Sequence, residues 1–118
     1  MISILIDTHA DGLNVTDDSL FFTNSGMIAE TARKNRLIAI GNLEFAQAGG
    51  MIGYGVNIPD LFYRAAAFVD KILKGEKPGD IPVEQATKFV TIVNLKVAKA
   101  MGIDVPTSLL LRADEVIE

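Results

Sequence analysis

Cysteine is absent from the 118 residues, which excludes disulfides, thiolate zinc centres and a cysteine nucleophile. That absence leaves the redox compartment open. Histidine occurs once, as His9, with no serine partner beside it, so a Ser-His-Asp arrangement has no local signature. A basic block is missing as well. Net charge is −4, and phosphate backbones are bound by clustered Lys and Arg. Lys96 and Lys99 lie close together, but Asp80, Glu84 and Asp104 flank them, and the pair reads as a solvated helix face. Nucleic acid is therefore not an expected partner. No apolar run approaches the roughly 20 residues that span a bilayer. The opening MISILID is too short and too uncharged to be a complete signal peptide. Either the chain stays inside, or its true N-terminus lies further upstream.

Hydrophobic residues make up 49% and charged residues 22%, the balance of an ordinary globular chain. The length suits one domain, residues 1–118, with a modest core. An apolar run over residues 2–6 has no assignable type. Residues 13–15, after Asp11-Gly12, read as a strand, and Thr16-Asp17-Asp18-Ser19 as a turn. Thr23, Asn24 and Ser25 offer N-caps for a helix over residues 27–34, with Met27, Ile28, Thr31 and Ala32 as its inner stripe. Residues 37–40 form an unbroken apolar run, which suits a central parallel strand buried on both faces. One helical turn over 44–48 and a strand over 51–54 follow.

The clearest element begins at Pro59, a residue tolerated in a first helical turn. Leu61, Ala65, Phe68, Val69, Ile72 and Leu73 then recur at helical spacing. Lys71 and Lys74 favour the negative end of the helix dipole, and Gly75 is the expected stop. GEKPGD reads as a loop within the linker-like residues 75–82. Residues 89–93 read as a strand, and Asn94 caps a short helix ended by Gly102. Pro106, Thr107 and Ser108 open another, and residues 115–117 are ambiguous. Strands alternating with helices predict an α/β fold, a mostly parallel sheet with right-handed crossovers.

Four glycines, Gly49, Gly50, Gly53 and Gly55, crowd one stretch, yet they fail as a nucleotide loop. Gly53 and Gly55 have the first spacing of a dinucleotide fingerprint, but residue 58 is Ile, and no Gly-Lys-Ser/Thr occurs. A tight turn at Gly49-Gly50 and an angled strand exit at Gly55 are expected instead. Asp7, His9 and Asp11 share the spacing of one strand face, as metal ligands would, but ordinary loop chemistry is the favoured reading. No metal and no cofactor are expected. Asp17-Asp18 has the form of the paired acids that hold magnesium in receiver-type domains, without the further Asp such a domain needs after its third strand. A turn and a helix cap are the other reading. No acid pair stands out for general acid–base work, and nothing argues for an enzyme.

What remains is positional. The loops at residues 16–19, 41–42 and 55–57 all follow expected parallel strands, and ligands of open α/β sheets bind beyond such strand ends. They bring carboxylate, hydroxyl, amide and backbone groups together with Tyr54. That chemistry suits a small polar or zwitterionic ligand.

GGMIGYGVNIPDLFYRAAAFVDKILKGEKPGDIPVEQATKFVTIVNLKVAKAMGIDVPTSLLLRADEVIE, residues 49–118, resembles the C-terminal part of ABC transporter substrate-binding proteins. The branch is the one related to tryptophan/tyrosine uptake, within the type I periplasmic binding proteins. DGLNVTDDSLFFTNSGMIAETARKNRLIAIGNLEFAQAGG resembles the preceding part. DKILKGEKPGDIPVEQ, NLKVAKAMGI and LLLRADEVIE are the most specific pieces.

The resemblance implies two α/β lobes joined by a hinge, a ligand captured between them without chemistry, and a membrane permease with its ATPase as partner. It implies a periplasmic or extracytoplasmic full-length parent, whose first lobe and secretion signal are absent from this chain. Residues 51–55 would be a strand of the second lobe, and residues 55–59 the start of an inter-lobe crossing. Thr16, Asp17, Asp18, Ser19, Asn42, Tyr54, Gly55 and Asn57 are the expected ligand-binding residues. Thr16, Ser19, Asn42 and Asn57 would donate to a carboxylate, and Asp17 or Asp18 would meet an amine. Where the family often carries an aromatic or basic residue, this chain has Asn42-Leu43, so the ligand's identity stays open. Apolar surface that a first lobe would cover predicts a homodimer, with residues 83–118 crossing between lobes or exchanged between copies. Two rivals share the architecture: an effector-sensing or receiver-type regulatory domain, and a truncated lobe acting only as a dimeric interaction module.

Overall fold

The computed structural model describes residues 9–118. The apolar run over residues 2–6, and Asp7 of the Asp7-His9-Asp11 set, lie outside the described residues.

Among the described residues, five strands form one sheet in chain order: β1 (Gly12–Asn14), β2 (Ile38–Gly41), β3 (Ile52–Val56), β4 (Phe89–Asn94) and β5 (Glu115–Ile117). β1 pairs parallel with β2, β2 with β3, and β4 with β5. Parallel neighbours need long connections. Helices supply them: α1 (Ser19–Thr23) and α2 (Ser25–Lys34), then α3 (Leu43–Gln47), α4 (Ile58–Leu73), and last α5 (Leu95–Met101) with α6 (Thr107–Leu110). The expected α/β architecture with a mostly parallel sheet is the one observed. Among the described residues, no helix is long and apolar enough to cross a membrane.

The contacts divide the chain into two compact units. One runs through Gly55 and resumes over Val90–Glu118; the other is Val56–Phe89. The first unit holds the core. Ile28, Ala29, Ala32, Leu37, Ala39 and Phe45 form its main cluster. Leu43, Ala46 and Ile92 form a second, and Met51, Ala98 and Met101 a third.

Gly50 of the glycine cluster, and Gly41 before it, have a physical explanation. A Cβ on Gly50 would overlap the Phe45 ring, and one on Gly41 would sit 2.7 Å from it. Both backbones are pressed against a ring that is 1% exposed. Only glycine fits such an approach.

Two expectations need correcting. The inward face of α2 carries Ile28, Ala29 and Ala32, whereas Met27 is 59% exposed. Small Ala29 and Ala32 let this helix lie close to β2 and α3, and that contact sets its rotation. β2 is buried on one face only. Ala39 and Gly41 point beneath α2 and α3, while Ile38 stays 41% exposed on the other side. Helix α1 was not foreseen, only its first residue, Ser19, falling in an expected turn; five residues are too few to show a 3.6-residue period.

Three joints from strand to helix carry asparagine. Asn42, Asn57 and Asn94 cap α3, α4 and α5, each accepting from a backbone N–H three residues on, at 2.9, 3.0 and 3.1 Å. Asn94 is buried, and its amide also donates to the Ala46 carbonyl at 3.3 Å, so no polar group there is orphaned. Gly102, in the left-handed region at φ 68°, ends α5 as expected. β5, ambiguous from residues alone, is settled by pairing. Asp114 accepts from Thr91 N at 2.8 Å and donates its own N–H to Thr91 O at 2.9 Å, seating β5 on β4.

In the other unit, α4 begins and ends where Pro59 and Gly75 predict. An Asp70–Lys74 pair at 2.8 Å and an Arg64–Glu84 pair lie within it, both largely exposed and of small energetic weight. GEKPGD holds one 3-10 turn, Pro78–Asp80.

Candidate functional site

β1, β2 and β3 lie side by side and parallel, so the chain leaves β1 and β2 at the same edge of the sheet. Val15 N donates to Ile40 O at 2.8 Å, carrying the β1–β2 pairing one residue past the end of β1. Beyond that point the two exits flank a cavity of about 430 Å³, lined by Asn14, Val15, Thr16, Asp17, Ile40, Gly41, Asn42 and Tyr54. This volume falls within the range of small-molecule sites.

Each polar group has a traceable origin. Asp17 sits on the loop after β1. Asn42 leaves β2 in extended conformation, φ −71° and ψ 179°, as the N-cap of α3. Its Oδ1 accepts from Phe45 N at 2.9 Å, and its Nδ2 donates to Asp17 Oδ1 at 3.1 Å. Among the described residues Asp17 has no other hydrogen-bond or ion-pair partner, so its second oxygen remains available. Val15 and Ile40 supply apolar wall, Thr16 a hydroxyl and Asn14 an amide. Tyr54 projects from β3 and is 53% exposed.

Of the eight residues expected to bind ligand, Thr16, Asp17, Asn42 and Tyr54 line this cavity. Asp18 does not. Its carboxylate accepts from Leu20 N at 2.8 Å and caps α1. Ser19 is the first residue of α1, where its carbonyl accepts from Thr23 Oγ1. Gly55 is outside the lining, and Asn57 belongs to the other unit, where its side chain caps α4. The paired-acid arrangement of a receiver site is thus not formed, because Asp18 is turned into its own helix. Among the described residues no cluster of His, Cys, Asp and Glu suits a metal ion.

The sequence reading missed Asn14, Val15 and Ile40, and placed Gly41 in a lining loop without counting it among the binding residues. Extending the strand-end rule one or two residues back into each strand would have found them, since a sheet edge exposes its last side chains along with its loops.

Comparison with known proteins adds one family and several structural likenesses, three of which follow. The family described as ABC transporter substrate binding protein matches residues 4–117. A conserved domain protein from Vibrio cholerae O1 biovar El Tor is 20% identical, with a TM-score of 0.88 over 96% of this chain and 38% of its own. An ABC domain from Streptococcus pneumonia, solved in complex with L-Trp, is 22% identical, with a TM-score of 0.87 over 98% of this chain and 40% of its own. CD0873 of Clostridium difficile, a substrate binding protein with adhesive properties in a ligand-free, open structure, is 27% identical, with a TM-score of 0.69 over 98% of this chain and 39% of its own. The chain thus spans about two fifths of the length of the solved proteins it matches. No curated protein matches it.

Proposed function

This chain belongs to the family of ABC transporter substrate-binding proteins, and from that premise we propose that it forms one wall of a site that captures an amino acid for import. The capture is non-covalent and needs no cofactor. The observation that carries this reading is the cavity at the ends of β1 and β2, with Asp17 held on its rim by Asn42. An anionic carboxylate meets the ammonium of the ligand; Thr16 and the Asn14 amide supply donors for its carboxylate. The tyrosine ring and the Val15–Ile40 wall receive its apolar part. The L-Trp complex of the Streptococcus pneumonia relative supports an amino acid over a sugar.

The permease and ATPase of an importer are the proposed partners of the parent, and its proposed location is extracytoplasmic. The chain changes unit at Gly55–Val56, which supports residues 55–59 as the start of an inter-lobe crossing.

Titration of the chain with the twenty L-amino acids and with glucose, followed by amide chemical shifts, tests the reading. Shifts at Asn14, Thr16, Asp17 and Asn42 are expected for one or a few amino acids, and none for glucose. Affinity in the millimolar range is expected, about −4 kcal/mol, since a single wall buries only part of a ligand. A response to glucose, or to no amino acid at all, defeats the proposal.

A homodimer is a separate proposal. Phe62, Tyr63, Val69 and Leu73 of α4 are all more than half exposed, and apolar groups gathered in this way favour association. Light scattering at high protein concentration is expected to give twice the chain mass of 12.7 kDa. A monomeric mass there removes the dimer.

A further inference from the structure

Building on the capture reading above, we propose that Asn42 is a positioning residue and not a ligand contact: it aims the Asp17 carboxylate into the cavity.

Its side chain is committed in two directions. Toward the core, Oδ1 accepts from Phe45 N at 2.9 Å, and Phe45 is 1% exposed, the largest fully buried side chain of the main cluster. Toward the site, Nδ2 donates to Asp17 Oδ1 at 3.1 Å across 25 residues of sequence. A carboxylate on an exposed loop otherwise samples several rotamers, and ordering it at the moment of binding costs affinity. The Asn42 amide orders it beforehand. The chain of contacts runs from a packed ring, through a helix cap, to a loop that has little packing of its own.

The donor's neutrality matters as well. A lysine or arginine at this point would cancel the charge of Asp17, whereas an amide holds the group and leaves it anionic. With Oδ1 occupied and Oδ2 without a partner among the described residues, Asp17 is prepared to accept one N–H from a cation. That favours a primary ammonium over a quaternary one, which has no N–H to give. The ligand class is narrowed accordingly.

Capping and positioning can be separated experimentally. Asn42→Ser keeps a good capping oxygen for Phe45 N but is too short to reach Asp17. Asp17→Asn removes the charge. Three-bond couplings would report the Asp17 χ1 rotamer, and methylammonium, with tetramethylammonium as control, would serve as the probe by amide shifts at Thr16 and Asp17. A single Asp17 rotamer is expected in the native chain and an averaged one in Asn42→Ser. Methylammonium binding should weaken by about fivefold in Asn42→Ser, the scale of one modest hydrogen bond. The double variant should bind no more weakly than Asp17→Asn alone, because Asn42 acts only through Asp17. Averaged rotamers in the native chain overturn the proposal. So do losses that multiply in the double variant, since Asn42 would then touch the ligand itself. If the rotamer behaves as expected but methylammonium shifts nothing in the native chain, the capture reading fails and the positioning role stands.

Discussion

Replacing Phe45 by alanine is expected to destabilise the fold by about 4 kcal/mol, toward the upper end of the range for a buried aromatic. The reason is the slot the ring occupies. Backbone at Gly41 and Gly50 touches it so closely that no Cβ fits at either position. These walls belong to β2 and to the turn leading into β3, which are tied into the sheet. They cannot collapse into the space an alanine leaves, so most of the cavity persists. Since small domains are stable by only about 5–15 kcal/mol, this single change should bring the chain near unfolding at ordinary temperature. Urea titration measures it, and Phe22→Ala is the control. Phe22 is 53% exposed, and its removal should cost within about 0.5 kcal/mol. A loss below about 1 kcal/mol for Phe45→Ala would mean that the slot closes, against the packing described here.

Asp17→Asn is expected to lower the affinity for whichever amino acid binds best by about tenfold to a hundredfold, the worth of one hydrogen bond to a charged group. The fold should be unaffected, because the residue is exposed and its one side-chain bond among the described residues is to Asn42. A desamino analogue of the same ligand should bind both forms alike, since it has no ammonium to lose. Asp18→Asn separates the neighbouring acids. Asparagine caps a helix as well as aspartate does, so α1 stays capped and affinity stays unchanged if Asp18 serves only its helix. Calorimetry on the three chains decides between them. Equal losses for Asp17→Asn and Asp18→Asn would return both acids to the site and undo the assignment to Asp17.

The fold was legible to the extent that its signals are local. Pro59 and Gly75 bracket α4 because helix starts and stops depend on a few neighbouring residues. Asn94 and Gly102 bracket α5 for the same reason. The run at residues 37–40 announces a strand by composition alone. Its exposed Ile38 was not foreseen, because coverage of each face depends on helices elsewhere in the chain. The candidate site was half legible. A rule about strand ends gathered Thr16, Asp17, Asn42 and Tyr54, but also Asp18, Ser19, Gly55 and Asn57, which lie outside the cavity lining. Polar residues after a strand face two tasks, binding a ligand or capping the next helix, and their identity does not tell which. Asp18 and Asn57 both cap.

The residues by themselves determined what this chain lacks, the α/β alternation and most helix ends, since each rests on composition or on neighbours a few positions apart. Tertiary structure alone decided three further matters: that Gly50 makes room for a ring, that Glu115–Ile117 is a strand, and that Asp17 rather than Asp18 stands at the cavity. All three are contacts across sequence. Phe45 presses on Gly50, Thr91 bonds Asp114, and Asn42 bonds Asp17. Such pairs form only after the sheet has brought its strands together, so no short window of sequence carries their signal.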